Sequence, residues 1–109
     1  ESSSMTMRVR RALNVLLVAG VPSFDRVACV FELSRRTLRR RLADEGTSFT
    51  ELLDELRCER AQQLLEQTRM PIEEIAATLQ FSKPGAFSRA YKAWTGVTPR
   101  SSRTIAARQ

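Results

Sequence analysis

The sequence predicts an all-α fold of two small helix-turn-helix lobes joined by a long linker helix, and three observations carry that prediction. First, a three-part pattern occurs twice, in residues 24–46 and again in 72–96: an apolar helix with a central Ala, a short turn, and a Ser-started second helix. Second, the longest helix-periodic stretch, Phe49 to about Gln67, lies between the copies. Third, only 6% aromatic residues and four Gly, with abundant Leu, Ala, Arg and Glu, argue against a β sandwich and for helices. A chain of 109 residues with 42% apolar content can form one domain or two very small lobes around a core.

Each element has a local reason. Glu1 to Ser4 is polar and without periodicity, and residues 1–7 are expected to be a disordered linker or expression remnant. A first helix is expected from about Arg8 to Ala19, with Val9, Leu13, Leu16 and Leu17 on one face and Gly20 as its stop. Pro22 and Ser23 open the next helix, whose expected buried stripe is Phe24, Val27, Ala28 and Phe31. Ser34 caps an arginine-rich helix that ends near Gly46, which completes a first lobe over residues 8–47. Ser48 and Glu51 form a capping box that opens the linker helix, residues 48–68, with the stripe Phe49, Leu52, Leu53, Leu56, Ala61, Leu64 and Leu65. Residues 69–109 make the second lobe and tail. Pro71, then Glu73 and Glu74 near the positive helix end, starts a helix with the stripe Ile72, Ile75, Ala76 and Leu79. Ser82 is expected to cap the following helix, which carries Phe87, Tyr91 and Trp94 as core anchors and stops at Gly96. Thr98-Pro99 begins a last helix that fades into Ala107-Arg108-Gln109.

Overlaying the copies at a constant offset of 48 puts Phe24 on Ile72, Val27 on Ile75, Ala28 on Ala76, Phe31 on Leu79, Leu33 on Phe81 and Ser34 on Ser82. Two helices that cross closely need a small residue at the crossing, and Ala28 and Ala76 supply it. On a wheel of about 100° per residue, Leu38 and Leu42 of the first copy share the core side. Arg36 and Arg40 then face nearly opposite, with Thr37 and Arg39 at the flanks. These four are the expected base-edge readers, while Arg35 and Arg41, nearer the core boundary, reach phosphates together with Ser34. A solvated face is the usual fate of a charge run. Here cations in a helix's first turn oppose its dipole by roughly 0.3–1 kcal/mol each, so the run suits phosphates and guanines better than it suits stability. In the second copy Gly85, Ser88, Arg89 and Lys92 face away from Phe87, Tyr91 and Trp94, with Pro84 near the entry. Only Arg89 there can make a bidentate guanine contact, so this helix is expected to bind mainly through backbone and phosphate contacts, with Lys83, Lys92 and Ser82 on phosphates. About 20 linker residues at about 1.5 Å each span about 30 Å, close to one turn of DNA at roughly 34 Å. Two unequal readers so spaced predict an asymmetric site.

Composition also excludes. The net charge of +6 favours a polyanionic partner, although charge alone does not say which. The absence of His removes Ser-His-Asp and Cys-His nucleophile pairs and His metal sites, so no enzyme activity, cofactor or metal is expected. Cys29 and Cys58 match no metal spacing and read as buried free thiols in a reducing cytoplasm. No apolar run reaches the length of a membrane span; Leu13 to Val21 is too short and is interrupted by Asn14.

The stretches SRRTLRRRLADEGTSF, RCERAQQLL and IEEIAATLQFSKPGAFSRAYKAWTGVTP combine motif, duplication and spacing. On them, over residues 8–103, the chain resembles the C-terminal DNA-binding domain of the AraC/XylS family of bacterial transcription regulators. It implies about seven helices in two homeodomain-like lobes, with recognition positions at Arg36, Arg39 and Arg40 and at Pro84, Gly85, Ser88 and Arg89. Three departures stand out. The turn positions, commonly Gly in the second family motif, are Glu32 and Gln80, so a left-handed backbone there would carry modest strain. Gly85 fills a recognition position that usually has a side chain. Ser102-Arg103 follows Thr98-Pro99 where the family has an aromatic and then Arg, so docking of the last helix cannot rest on that aromatic.

The expected function is sequence-specific binding of double-stranded promoter DNA in the major groove, regulating bacterial transcription in the cytoplasm at the nucleoid. The resemblance further implies RNA polymerase as a partner and an N-terminal effector or dimerisation domain beyond this chain, with a short stand-alone regulator as the variant. The rival from another class is a protein-interaction module whose basic face meets an acidic protein; an RNA-binding helix bundle ranks lower because no aromatic platform is expected to be exposed.

Overall fold

Seven helices form among the described residues, 4–19 and 22–108, of the computed structural model: α1 (Met5–Ala19), α2 (Phe24–Val30), α3 (Arg35–Asp44), α4 (Phe49–Gln67), α5 (Ile72–Thr78), α6 (Pro84–Thr95) and α7 (Pro99–Ala107). The chain divides into two compact units, Glu1–Leu56 and Arg57–Gln109, and the division falls inside α4. The linker helix is therefore not a free-standing spacer. Its first half belongs to the first unit, where Leu52 is buried and Phe49, Leu53 and Leu56 pack against the core. Its second half belongs to the other unit, where it buries Ala61 and Leu65 and half-buries Leu64.

In the first unit α1 packs on α2 and α3. Met5, Val9, Leu13, Val27, Ala28, Leu38, Leu42 and Leu52 form its core, with Leu16, Phe24, Phe31 and Leu33 partly buried around them. Helix α1 begins three residues earlier than its periodicity predicts: Met5 to Met7 are helical and Met5 is buried, so they are not linker. A distant carboxylate explains the earlier start. Glu45, at the end of α3, accepts hydrogen bonds from the Met5 N–H (2.9 Å) and the Thr6 N–H (2.8 Å), and from the Thr6 hydroxyl. Two donors that open helices leave unpaired are thereby satisfied, and the Thr6 hydroxyl, followed by the two N–H groups, holds the Glu45 carboxyl below its ordinary value. The expected stop at Gly20, the first three residues and Gln109 lie outside the described residues.

In the second unit α5 packs on α6 and α6 on α7. Ile75, Ala76, Leu79, Phe87 and Tyr91 are buried, and Phe81 touches Phe87 and Trp94 with ring centroids 5.5 and 6.3 Å apart. Tyr91 and Trp94 thus serve as the core anchors the pattern predicts. Lacking the expected aromatic, α7 docks through polar contacts. Ser102 Oγ and Tyr91 OH are 2.8 Å apart. Arg103 donates from Nε to the Leu65 carbonyl (3.1 Å) and from Nη2 to those of Leu64 (3.3 Å) and Thr68 (3.4 Å). Arg103 thereby caps the last carbonyls of α4 with a cation, the favourable sign at a helix C-terminus.

The turns close both repeats identically. After α2, Glu32 N–H donates to the Cys29 carbonyl and Leu33 N–H to that of Ala28; after α5, Gln80 N–H donates to Ala77 and Phe81 N–H to Ala76. This is the Schellman pattern, which puts one residue in the left-handed region. Glu32 and Gln80 occupy it, at φ 54° and 68°. The constant offset of 48 therefore extends to backbone conformation.

Candidate nucleic-acid interface

Helix α3 follows that turn because Ser34 stops the extended chain and caps the helix: its Oγ accepts from the Thr37 N–H at 3.1 Å and donates to Thr37 Oγ1 at 3.0 Å. Leu38 and Leu42 are buried, which fixes the rotation of the helix and turns the arginines outward. Arg36, Arg40 and Arg41 are exposed and make no ion pair among the described residues. Thr37 is half-buried beside the cap. Arg35 and Arg41 are exposed too, although the wheel puts them nearer the core.

Arg39 and Arg35 have surroundings that the wheel does not predict. Both guanidiniums lie against the Phe24 ring of α2, 5.4 and 5.5 Å from its centroid, within cation–π range. Arg35 also pairs with Asp25 at 3.2 Å. Phe24 in turn meets Phe49 edge to face at 5.3 Å. The residues of the candidate site that sequence reasoning misses are therefore Phe24, Asp25 and Phe49. The sequence shows Phe24 only as a core residue, and its half-buried state leaves a face for the two arginines.

In the second unit α6 presents Pro84, Gly85, Arg89 and Lys92 to solvent, with Ser88 half-buried. Ser82 and Lys83 are exposed, but Ser82 does not cap the helix. Lys83 takes the N-cap position at φ −142°, ψ 142° and Pro84 is the first helical residue. Proline explains the shift: it suits the first helical position and pushes its predecessor into extended backbone. Gly85 leaves room that Arg89 uses, since a Cβ built there would lie 3.3 Å from Arg89 Nη1.

The cysteines need one correction. Cys58 is half-buried, and burial pushes its thiol up; Cys29, expected to be buried, is exposed on α2 because Val27 and Ala28 take the inward positions. No group of three metal-binding side chains occurs among the described residues, and none of their helices is long and apolar enough to cross a membrane.

Comparison with known proteins gives a consistent answer. A family described as "Helix-turn-helix domain" matches residues 27–105. An HTH-type transcriptional regulator of Mycobacterium tuberculosis is 42% identical over 78 residues, covering 72% of this chain and 23% of the relative. The transcriptional regulator CdpR of Pseudomonas aeruginosa superposes with a TM-score of 0.86 at 41% identity, covering 92% of this chain and 31% of that one. The DNA-binding domain of AdpA, a global transcriptional factor solved in complex with a target DNA, superposes at 0.78 with 25% identity, covering 95% of this chain and 93% of that one. The chain spans about a quarter of the length of the curated relatives it matches.

Proposed function

The chain belongs to the AraC/XylS family of helix-turn-helix transcription regulators, and on that premise we propose that it binds double-stranded DNA sequence-specifically through the major groove. The observation that carries the reading is the outer face of α3, where Arg36 and Arg40 stand exposed, with no ion pair among the described residues, on a capped helix held by buried leucines. A bidentate Arg on guanine O6 and N7 is the commonest specific base contact, and two of them one helical turn apart suit adjacent base pairs. Helix α6 reads with Arg89, while its Pro84, Gly85 and half-buried Ser88 offer the groove backbone and small side chains. Ser34, Arg41, Ser82, Lys83 and Lys92 take phosphates. The unequal faces make the binding site asymmetric.

The same reading makes this chain the DNA-binding part of a bacterial regulator that acts on promoters in the cytoplasm, has no enzymatic role, and works with an effector or dimerisation domain and with RNA polymerase. Selection from a random duplex library, repeated across salt concentrations, tests it. Two separated blocks of enriched sequence support a reader in each lobe. Arg36→Ala and Arg40→Ala should each cost roughly 1–3 kcal/mol of specific binding with folding intact. Affinity that falls with salt while no sequence is enriched would leave a nonspecific polyanion binder and sink the proposal.

A further inference from the structure

We infer that the cleft between α2, α3 and the start of α4 seats one phosphodiester of the bound strand, with Arg35 and Arg39 as its ligands and Phe24 as the residue that positions them. The inference rests on the DNA-binding reading and assigns Arg39 to the backbone, whereas the sequence alone places it among the base readers.

The cleft encloses roughly 340 Å³, with Phe24, Leu42 and Phe49 as its apolar wall and Arg35, Arg39, Ser48 and Thr50 as its polar rim. Two guanidiniums gathered around one ring repel each other, and a neutral ring offsets only part of that. Asp25 counters Arg35; Arg39 makes no ion pair among the described residues. The arrangement is one anion short. Ser48 Oγ accepts from the Glu51 N–H at 3.2 Å and keeps its own hydrogen to donate, and the Thr50 hydroxyl is exposed beside it. Planar guanidiniums on an aromatic platform lose less freedom on meeting a phosphate than free side chains do, and their fork geometry matches its oxygens. The second repeat has no equivalent, because Ile72 stands at the Phe24 position and the counterparts of Arg35 and Arg39 are not arginines. A phosphodiester is the fitting anion because Arg36 and Arg40, on the same short helix, face the groove whose wall such a phosphate forms.

The test uses a duplex enriched by the wild-type chain, with a neutral methylphosphonate placed singly at each backbone position. Wild type should lose affinity at several positions. In the Arg35→Ala/Arg39→Ala double variant, one of them should cease to matter while the enriched base sequence stays the same. Removing the interaction with one phosphate should reduce the log–log salt slope by about 0.9, which spares the variant about 3.5-fold of the affinity that wild type forfeits between about 50 and 200 mM salt. Phe24→Leu keeps apolar bulk and both charges, and should shrink the effect at that same position alone. An interference pattern unchanged in the double variant overturns the inference, as does a changed base preference, which would make Arg39 a base reader. If the wild type enriches no duplex, the DNA-binding reading itself fails, and this assignment with it.

Discussion

Replacing the two left-handed turn residues with glycine should stabilise the protein, and the structure sets the size of the gain. Glu32 and Gln80 sit at φ 54° and 68°, a conformation that costs an L-residue roughly 1–2 kcal/mol and glycine almost nothing. Glycine loses more chain entropy on folding, roughly 0.5–1 kcal/mol, which leaves a net gain of about 0.5–1 kcal/mol at each site. Neither substitution removes a turn hydrogen bond, since all are made by backbone atoms, and Arg57 Nη2 also reaches the backbone carbonyl of Gln80 at 3.5 Å. For so small a unit, about 1 kcal/mol moves the melting temperature by about 4–8 °C. The assay is thermal and urea denaturation of Glu32→Gly, Gln80→Gly and the pair, with Glu32→Ala and Gln80→Ala alongside. Alanine keeps the left-handed penalty while removing the same side chains. If alanine and glycine raise stability equally, the gain comes from the side chains and the argument from backbone strain is wrong.

Three further outcomes follow from single contacts. Arg103→Ala should destabilise the second unit by about 2 kcal/mol, because charge-assisted hydrogen bonds contribute roughly 1.5–3 kcal/mol and this one is partly solvated; Arg103→Lys should fall between, and denaturation curves equal to wild type would refute the docking of α7. Glu45, whose carboxyl is held below its ordinary value by Thr6 and Met5, should stabilise the first unit at neutral pH and lose that contribution as pH falls through its lowered value. Denaturation midpoints of wild type and Glu45→Gln should therefore differ at neutral pH and converge in acid, and a constant difference would count against the contact. Gly85→Ala should stabilise α6 by roughly 0.5–1 kcal/mol yet blunt the base preference of the second reader by crowding Arg89 at 3.3 Å; library selection with unchanged enrichment would refute that crowding.

What the sequence makes legible here is what repeats within a few residues. The Leu38 and Leu42 spacing, the Ser34 and Thr98 caps, and the Gly46 and Gly96 stops are local, and the structure has them at those positions. The left-handed turns at Glu32 and Gln80 are legible through the family resemblance, whose motif commonly has glycine at that turn position, and the structure has both at positive φ. The contacts that fix the rest join distant residues and leave no periodic trace. Glu45 meets Met5 across 40 positions and Arg103 meets Leu65 across 38. Arg39 is legible as an outward residue, but where its guanidinium lies depends on a ring contributed by another helix. Ser82 misleads for a different reason: a good capping residue stands two places before a proline, and the proline decides.

On the proposed reading, the two repeats separate stability from recognition. Their inward residues match: Val27 and Ala28 are buried as Ile75 and Ala76 are, and the same Schellman hydrogen bonds follow each pair. Their outward residues diverge, from Arg36, Arg39 and Arg40 in the first repeat to Gly85, a half-buried Ser88 and Arg89 in the second. The helix ends divide along the same line. The supporting helices carry acids in their first turns, Asp25 on α2 and Glu73 and Glu74 on α5, where a negative charge meets the positive helix end. The helices proposed to read DNA, α3 and α6, carry none. An acid there would contribute roughly 0.3–1 kcal/mol to the helix, but under the DNA contact proposed above it would also stand against the phosphates facing that helix end. Asp25 meets both demands from the neighbouring helix, since it lies in the first turn of α2 and holds Arg35 on the Phe24 ring.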